Sequence, residues 1–185
     1  MEVRRTKLDG VVELTPKRHG DSRGWFSEVW NQATMAELGF DLVWVQDNEA
    51  RSAAAGTLRG LHFQVDPHAQ DKLVRAVSGS VFDVAVDLRK TSPTFGQHVA
   101  VELTAELGNQ LPVPRGFAHG YCTLEPDTVI GYKVTGFYAA ECDRGIRWND
   151  PALAIAWPMT ESEAVLSQKD VEAPMLADIA GSLFD

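Results

Sequence analysis

Residues 98–134 read HVAVELTAELGNQLPVPRGFAHGYCTLEPDTVIGYKV, and this stretch decides the fold class. Val99, Val101 and Leu103 alternate with His98, Ala100 and Glu102, the period of a half-buried strand with one polar face. Three more short strand-like runs follow, at 111–113, 119–124 and 129–134. Gly108-Asn109, Pro114-Arg115-Gly116 and Pro126-Asp127 punctuate them. Strands this short, at nearly regular spacing and with turn residues between them, predict an all-β antiparallel barrel or jelly roll.

The same texture runs upstream. Strand-like runs are read at 11–14, 25–30, 42–45, 58–64, 73–77 and 81–88. Gly79-Ser80 between the last two predicts a two-residue hairpin turn. Helical signals are few: 31–38, with Asn31 as N-cap and Gly39 as C-cap, and 162–166. No composition shift or linker divides the chain, so one domain over 1–185 is expected, with the less strand-like segment from about 158 wrapping the barrel.

Composition narrows the function. The chain has 185 residues, 44% of them apolar, ordinary values for one globular domain. A formal charge of −9, from 17 Lys and Arg against 26 Asp and Glu, argues against nucleic-acid binding. It leaves room for an anionic small ligand held by a local cluster of cations. No run of about 18 apolar residues predicts a membrane span. Met1-Glu2-Val3-Arg4-Arg5-Thr6 leads into polar residues rather than a secretory signal. Two cysteines, Cys122 and Cys142, make no disulfide framework, and a cytoplasmic setting is expected.

Charge inside apolar segments is costly without a reason. Leu58-Arg59-Gly60-Leu61-His62-Phe63-Gln64 carries a cation and an imidazole, and Lys72 opens the next run. Strict alternation sends Arg59 and His62 to opposite faces; a bulge at Gly60 would change this, and service to two different sites is the alternative. Pro114-Arg115-Gly116-Phe117-Ala118-His119 resembles the second half of the cupin signature, whose His binds metal in metal-dependent cupins. The first half, a His-x-His pair with a Glu, is missing: Gln64 stands where the second His would be, and His68 lies further on beside Pro67. His62 and His119 fall short of the three or four ligands of a tight site, so no metal is expected there.

Nine blocks in order resemble the dTDP-4-dehydrorhamnose 3,5-epimerases. They are Asp21-Ser22-Arg23-Gly24-Trp25-Phe26-Ser27-Glu28, Gln46-Asp47-Asn48, Leu58-Arg59-Gly60-Leu61-His62, Lys72-Leu73-Val74-Arg75, 84–89, Ser92-Pro93-Thr94-Phe95-Gly96, 114–120, 145–151 and Leu166-Ser167-Gln168-Lys169-Asp170. They run from about Gly10 to Pro174. The resemblance implies a double-stranded β-helix, the cupin jelly-roll barrel, with a few short helices, assembled as a homodimer.

It also implies a substrate, dTDP-4-dehydro-6-deoxy-D-glucose, epimerised at C3 and C5 through an enolate without cofactor. His62 matches the base, Asp170 its partner carboxylate, Lys72 the cation near the ketone oxygen and Tyr132 the acid on the other face. Arg23, Glu28, Gln46, Asn48, Arg59 and His119 match residues that hold nucleotide and sugar. Tyr138 matches an aromatic that stacks on thymine, and Lys169 a ligand contact. Asp143 stands where the family often has Glu. A narrower relative acting at C3 or C5 alone shares the same acid–base residues. A non-catalytic sugar-nucleotide-binding cupin is the alternative of another class; His62, Lys72, Tyr132 and Asp170 together speak against it.

Overall fold

The structure, a computed structural model, describes residues 1–184. Its strands are β1 (Glu2–Arg5), β2 (Val12–Thr15), β3 (Arg18–Asp21), β4 (Gly24–Ser27), β5 (Gln46–Ser52), β6 (Leu58–Gln64), β7 (Lys72–Ser78), β8 (Ser80–Asp87), β9 (His98–Thr104), β10 (Gln110–Val113), β11 (Phe117–Thr123), β12 (Thr128–Val134) and β13 (Asp143–Gly145). Short helices α1 (Gln32–Glu37), α2 (Gln168–Val171) and α3 (Leu176–Ile179) complete the elements used below. One sheet runs β1-β2-β10-β7-β12-β5 and the other β13-β6-β11-β8-β9, with β3-β4 as a separate two-stranded ribbon. The expected mostly-β, antiparallel, two-sheet architecture is what forms.

The main core lies between the sheets. Val74, Ala76, Leu111 and Ile130 of the first meet Val81, Ala85, Val101, Leu103 and Phe117 of the second. Each of the larger of these side chains, the Val, Leu, Ile and Phe, contributes roughly 1.5–3 kcal/mol when fully buried. The outer face of the second sheet is covered too: Leu61, Phe63, Val84 and Val86 pack with Leu153, Leu176 and Leu183. β8 is therefore buried on both faces and reads as a nearly continuous apolar run. Outside the first sheet, Met35 of α1 packs on Leu14 and Leu73, with Trp30 and Trp44 against them. Asn31 caps α1, its side chain accepting from the N–H groups of Ala33 and Thr34, and Gly39 follows at φ +91°.

Three local expectations fail. The expected hairpin at Gly79-Ser80 does not form: β7 and β8 belong to different sheets. Gly79, at φ +72°, turns the chain from one sheet to the other against Thr128, whose Oγ1 would lie 2.4 Å from an added Cβ. Residues 42–45 form no strand, because Trp44 packs on the α1 cluster; the strand is the polar segment that follows, β5. β5 is held by seven register pairs with β12. Residues 162–166 form no helix. The Val165 N–H donates to the Gly56 carbonyl and the Val165 carbonyl accepts from Leu58, which commits this stretch to an extended path beside the start of β6. The helix starts instead at Gln168, where Ser167 caps it.

Candidate active site

β6 and β11 pair antiparallel, with His119 opposite His62 and Tyr121 opposite Arg59. Two residues of β6, Gly60 and Leu61, therefore stand opposite the single Gly120 of β11, a bulge. Gly60, at φ +145°, comes so close to β11 that an added Cβ would lie 2.5 Å from the Gly120 Cα. This bulge resolves the open question of faces: Arg59 and His62 line one cavity. The cavity has a volume of about 440 Å³, and Thr57, Lys72, His119, Tyr121, Tyr132, Ser167 and Asp170 complete its polar lining.

His62 Nε2 lies 2.6 Å from Asp170 Oδ1. A carboxylate only accepts, so Nε2 carries the proton and the lone pair sits on Nδ1. Asp170 is 2% exposed, and its other oxygen accepts from Ser167 Oγ at 2.6 Å. Burial works to raise the Asp170 pKa, but hydrogen bonds from His62, Ser167 and the Gly60 N–H hold it below the ordinary carboxylate value. The carboxylate stays ionised, fixes the tautomer and is placed to stabilise an imidazolium.

A second His–Asp pair lies beside the first. His119 Nε2 is 3.0 Å from both carboxylate oxygens of Asp83, which is fully buried on β8. Lys72, half-buried at the start of β7, reaches the His62 carbonyl at 3.4 Å. Burial lowers its pKa to about 8, against the pull of Asp83 and Asp143, which favour the charged form. Tyr132 enters from β12 in the opposite sheet. Burial raises its pKa, with Arg59 opposing, so its phenol is protonated at neutral pH and able to donate. Tyr121 is pushed by burial to about 12, and its hydroxyl faces Ser52 without hydrogen-bond geometry.

Of the residues expected in the site, the structure brings six into this cavity: Arg59, His62, Lys72, His119, Tyr132 and Asp170. Gln46 and Asn48 do not line it. They point inward on β5, joined Nε2 to Oδ1 at 2.7 Å, and Asn48 is in register with Tyr132. Tyr138, Asp143 and Lys169 form a separate group: the Tyr138 hydroxyl donates to Asp143 at 3.2 Å, and Lys169 pairs with the same carboxylate. Arg23 and Glu28 lie outside both groups. Arg23 is on the β3–β4 turn, its side chain 87% exposed and paired with Asp21, and Glu28 is exposed just after β4. The sequence reading did not single out Asp83, which pairs with His119, or Tyr121 and Ser167, which line the cavity. Asp83 had a signal, since a carboxylate in the apolar run 81–88, which it shares with Asp87, is as costly there as a cation.

An imidazole with its carboxylate, a protonated phenol from the opposite sheet and a half-buried lysine are the groups needed to move a proton beside a carbonyl. Comparison with known proteins agrees. The profile of the dTDP-4-dehydrorhamnose 3,5-epimerase family matches residues 5–178. The dTDP-4-dehydrorhamnose 3,5-epimerase of Sinorhizobium fredii is 53% identical over 169 residues, covering 91% of this chain and 86% of that relative. The chain belongs to the dTDP-4-dehydrorhamnose 3,5-epimerase family. It is an isomerase with a cupin-type barrel, and its activity is that of the 3,5-epimerases.

Two solved structures place the fold in the same family. The dTDP-4-dehydrorhamnose 3,5-epimerase from Bacillus anthracis, with TDP and PPi bound, is 48% identical at TM-score 0.92, covering 95% of this chain and 99% of that one. The dTDP-6-deoxy-D-glucose-3,5-epimerase from Legionella pneumophila, in complex with dTDP-4-keto-L-rhamnose, is 43% identical at TM-score 0.94, covering 99% and 97%. Among the described residues, no helix is long and apolar enough to cross a membrane.

Proposed function

We propose that His62 takes, and Tyr132 returns, the protons at C3 and C5 of dTDP-4-dehydro-6-deoxy-D-glucose, giving dTDP-4-dehydro-L-rhamnose. The observation that carries this reading is the His62–Asp170 pair facing Tyr132 from the other sheet, with Lys72 lining the same cavity. Both hydrogens lie next to the C4 ketone. When Nδ1 of His62 removes one, its electron pair moves onto the C4 oxygen, and the Lys72 ammonium stabilises that charge. Tyr132 then delivers a proton to the other face of the planar carbon, and solvent resets both groups. Nothing is oxidised or reduced, so the scheme contains no redox cofactor, and with Lys72 at the oxygen it contains no metal.

Arg59 and His119 are assigned to the diphosphate and sugar, since guanidinium meets phosphate oxygens two at a time. The Tyr138–Asp143–Lys169 group is assigned to the nucleotide base; Asp143 still reaches Lys169 and Tyr138 although it is one methylene shorter than Glu. Gln46 and Asn48 serve the sugar side from β5. Arg23 and Glu28 are assigned to the site across a homodimer. The β3–β4 ribbon supports this by exposing 58% of Trp25 and 70% of Phe26, apolar surface that a partner subunit would cover. The whole chain acts as one domain in the cytoplasm, where the two buried, free thiols stay reduced.

The test is turnover in deuterated water with dTDP-4-dehydro-6-deoxy-D-glucose and the purified chain. Deuterium entering C3 and C5, with inversion at both, is the expected result. Label at one carbon alone would make the chain a single-centre epimerase, and no label with tight binding would make it a binding protein.

A further inference from the structure

We propose that Cys142, His68 and Glu141 form a binding site for a zinc-class divalent cation, separate from the catalytic cavity. Their ligand atoms, one thiol sulfur, one imidazole nitrogen and one carboxylate oxygen, lie within 4.8 Å of one another. None of the three lines the cavity. His68 is on the loop between β6 and β7, and Glu141 and Cys142 immediately precede β13.

The two loops are already fixed to each other. Buried Gln64 donates to the carbonyls of His68 at 2.7 Å and Phe137 at 3.1 Å, and accepts from the Ala139 N–H at 2.7 Å. The Val65 N–H donates to the Cys142 carbonyl at 3.0 Å. The side chains, by contrast, have little to hold them. The Cys142 thiol is 4.0 Å from the Asp66 carbonyl, and among the described residues no hydrogen bond or ion pair engages the His68 ring or the Glu141 carboxylate.

The donor set selects the ion. Thiolate and imidazole suit zinc and its softer neighbours, whereas magnesium and calcium want oxygen alone. Ligand atoms around a tetrahedral zinc are about 3.4–3.6 Å apart, given bond lengths near 2.0–2.3 Å. The present spacing closes to that by rotation of His68 and Glu141, both exposed, around Cys142, which is 7% exposed. Water completes the fourth position. On binding, the S–H bond of Cys142 breaks, a sulfur–metal bond forms and one proton leaves to solvent, with no change of oxidation state. The ion would clamp the 65–68 loop to the segment carrying Tyr138.

Titration of the whole, metal-free chain with cobalt(II), followed by displacement with zinc, tests this. The expected result is a thiolate-to-cobalt charge-transfer band that saturates at one equivalent and disappears as zinc replaces cobalt. C122S keeps the band and C142S loses it. H68A, at an exposed position that leaves folding undisturbed, weakens zinc binding by at least about 10–100-fold. Zinc also raises the melting midpoint of the wild type and of C122S by more than that of H68A. Absence of the band in the wild type, its survival in C142S, its loss in C122S, or unchanged zinc affinity in H68A would each overturn the proposal.

Discussion

Two His–Asp pairs stand side by side on adjacent strands, with His119 in direct register with His62, yet they are built for different work. In the first, the His62 side chain is 31% exposed to the cavity and a short 2.6 Å bond ties it to Asp170, whose other oxygen Ser167 holds. In the second, the His119 side chain is 9% exposed and shares its Nε2–H between both oxygens of a fully buried Asp83. A ring open to the substrate can take a proton and give it back. A ring enclosed by its neighbours, with its Nε2–H committed to Asp83, is a fixed part of the wall. The two carboxylates also differ in reach: Asp83 acts on Lys72 through its charge as well as on His119. Exposure, and what else the carboxylate touches, thus separate a pair placed to act as a base from one placed to act as a brace.

The largest effect expected from this difference is at His62. H62A should abolish proton exchange at both carbons and lower turnover by about 10²–10⁴-fold, the usual cost of a lost general base. Nucleotide affinity should fall much less; label entering either carbon at the normal rate would show a second base. Next comes the contrast between the carboxylates. D170N should reduce kcat by about 10²-fold or more, because it loosens the tautomer and the imidazolium. D83N should cost about tenfold in kcat/KM, mostly through KM. Equal kcat losses in the two variants would erase the distinction between base and brace.

The smallest effect is in the pH profile. Lys72, with a pKa near 8, is charged below that value and neutral above it. Activity should therefore be present below pH 8 and fall as pH rises through it, most clearly in kcat/KM, which reports the free enzyme. Since Asp83 favours the charged lysine, D83N should move this alkaline limb to lower pH, while D170N should leave it in place. A limb unmoved by D83N would disconnect Lys72 from the second pair.

Much of this was legible in the sequence. Alternation marked the strands with one apolar face, such as β9, and the double apolar run of β8. β5 was hidden because its inward residues, Gln46 and Asn48, are polar and its stability comes from backbone pairing with β12. Gly79 announced a turn, but local turn chemistry is the same whether the next strand pairs with the last or crosses to the facing sheet. His62, Lys72 and Arg59 stood out as charge in apolar runs, and Asp83 would have done so had carboxylates been weighed like cations. That Arg59 and His62 share a face was not decidable from spacing, because it depends on the bulge at Gly60 against Gly120.

The central claim is that acid and base are separate groups on opposite walls, and Y132F in deuterated water tests it most directly. Phe keeps the ring and its packing and removes only the hydroxyl. His62 can still take a proton, exchange it with solvent and return it to the same face. Deuterium should therefore continue to enter C3 and C5 with the starting configuration retained, while epimerised product falls far more than exchange does. Unchanged epimerisation in Y132F would contradict the account and remove Tyr132 from the reaction.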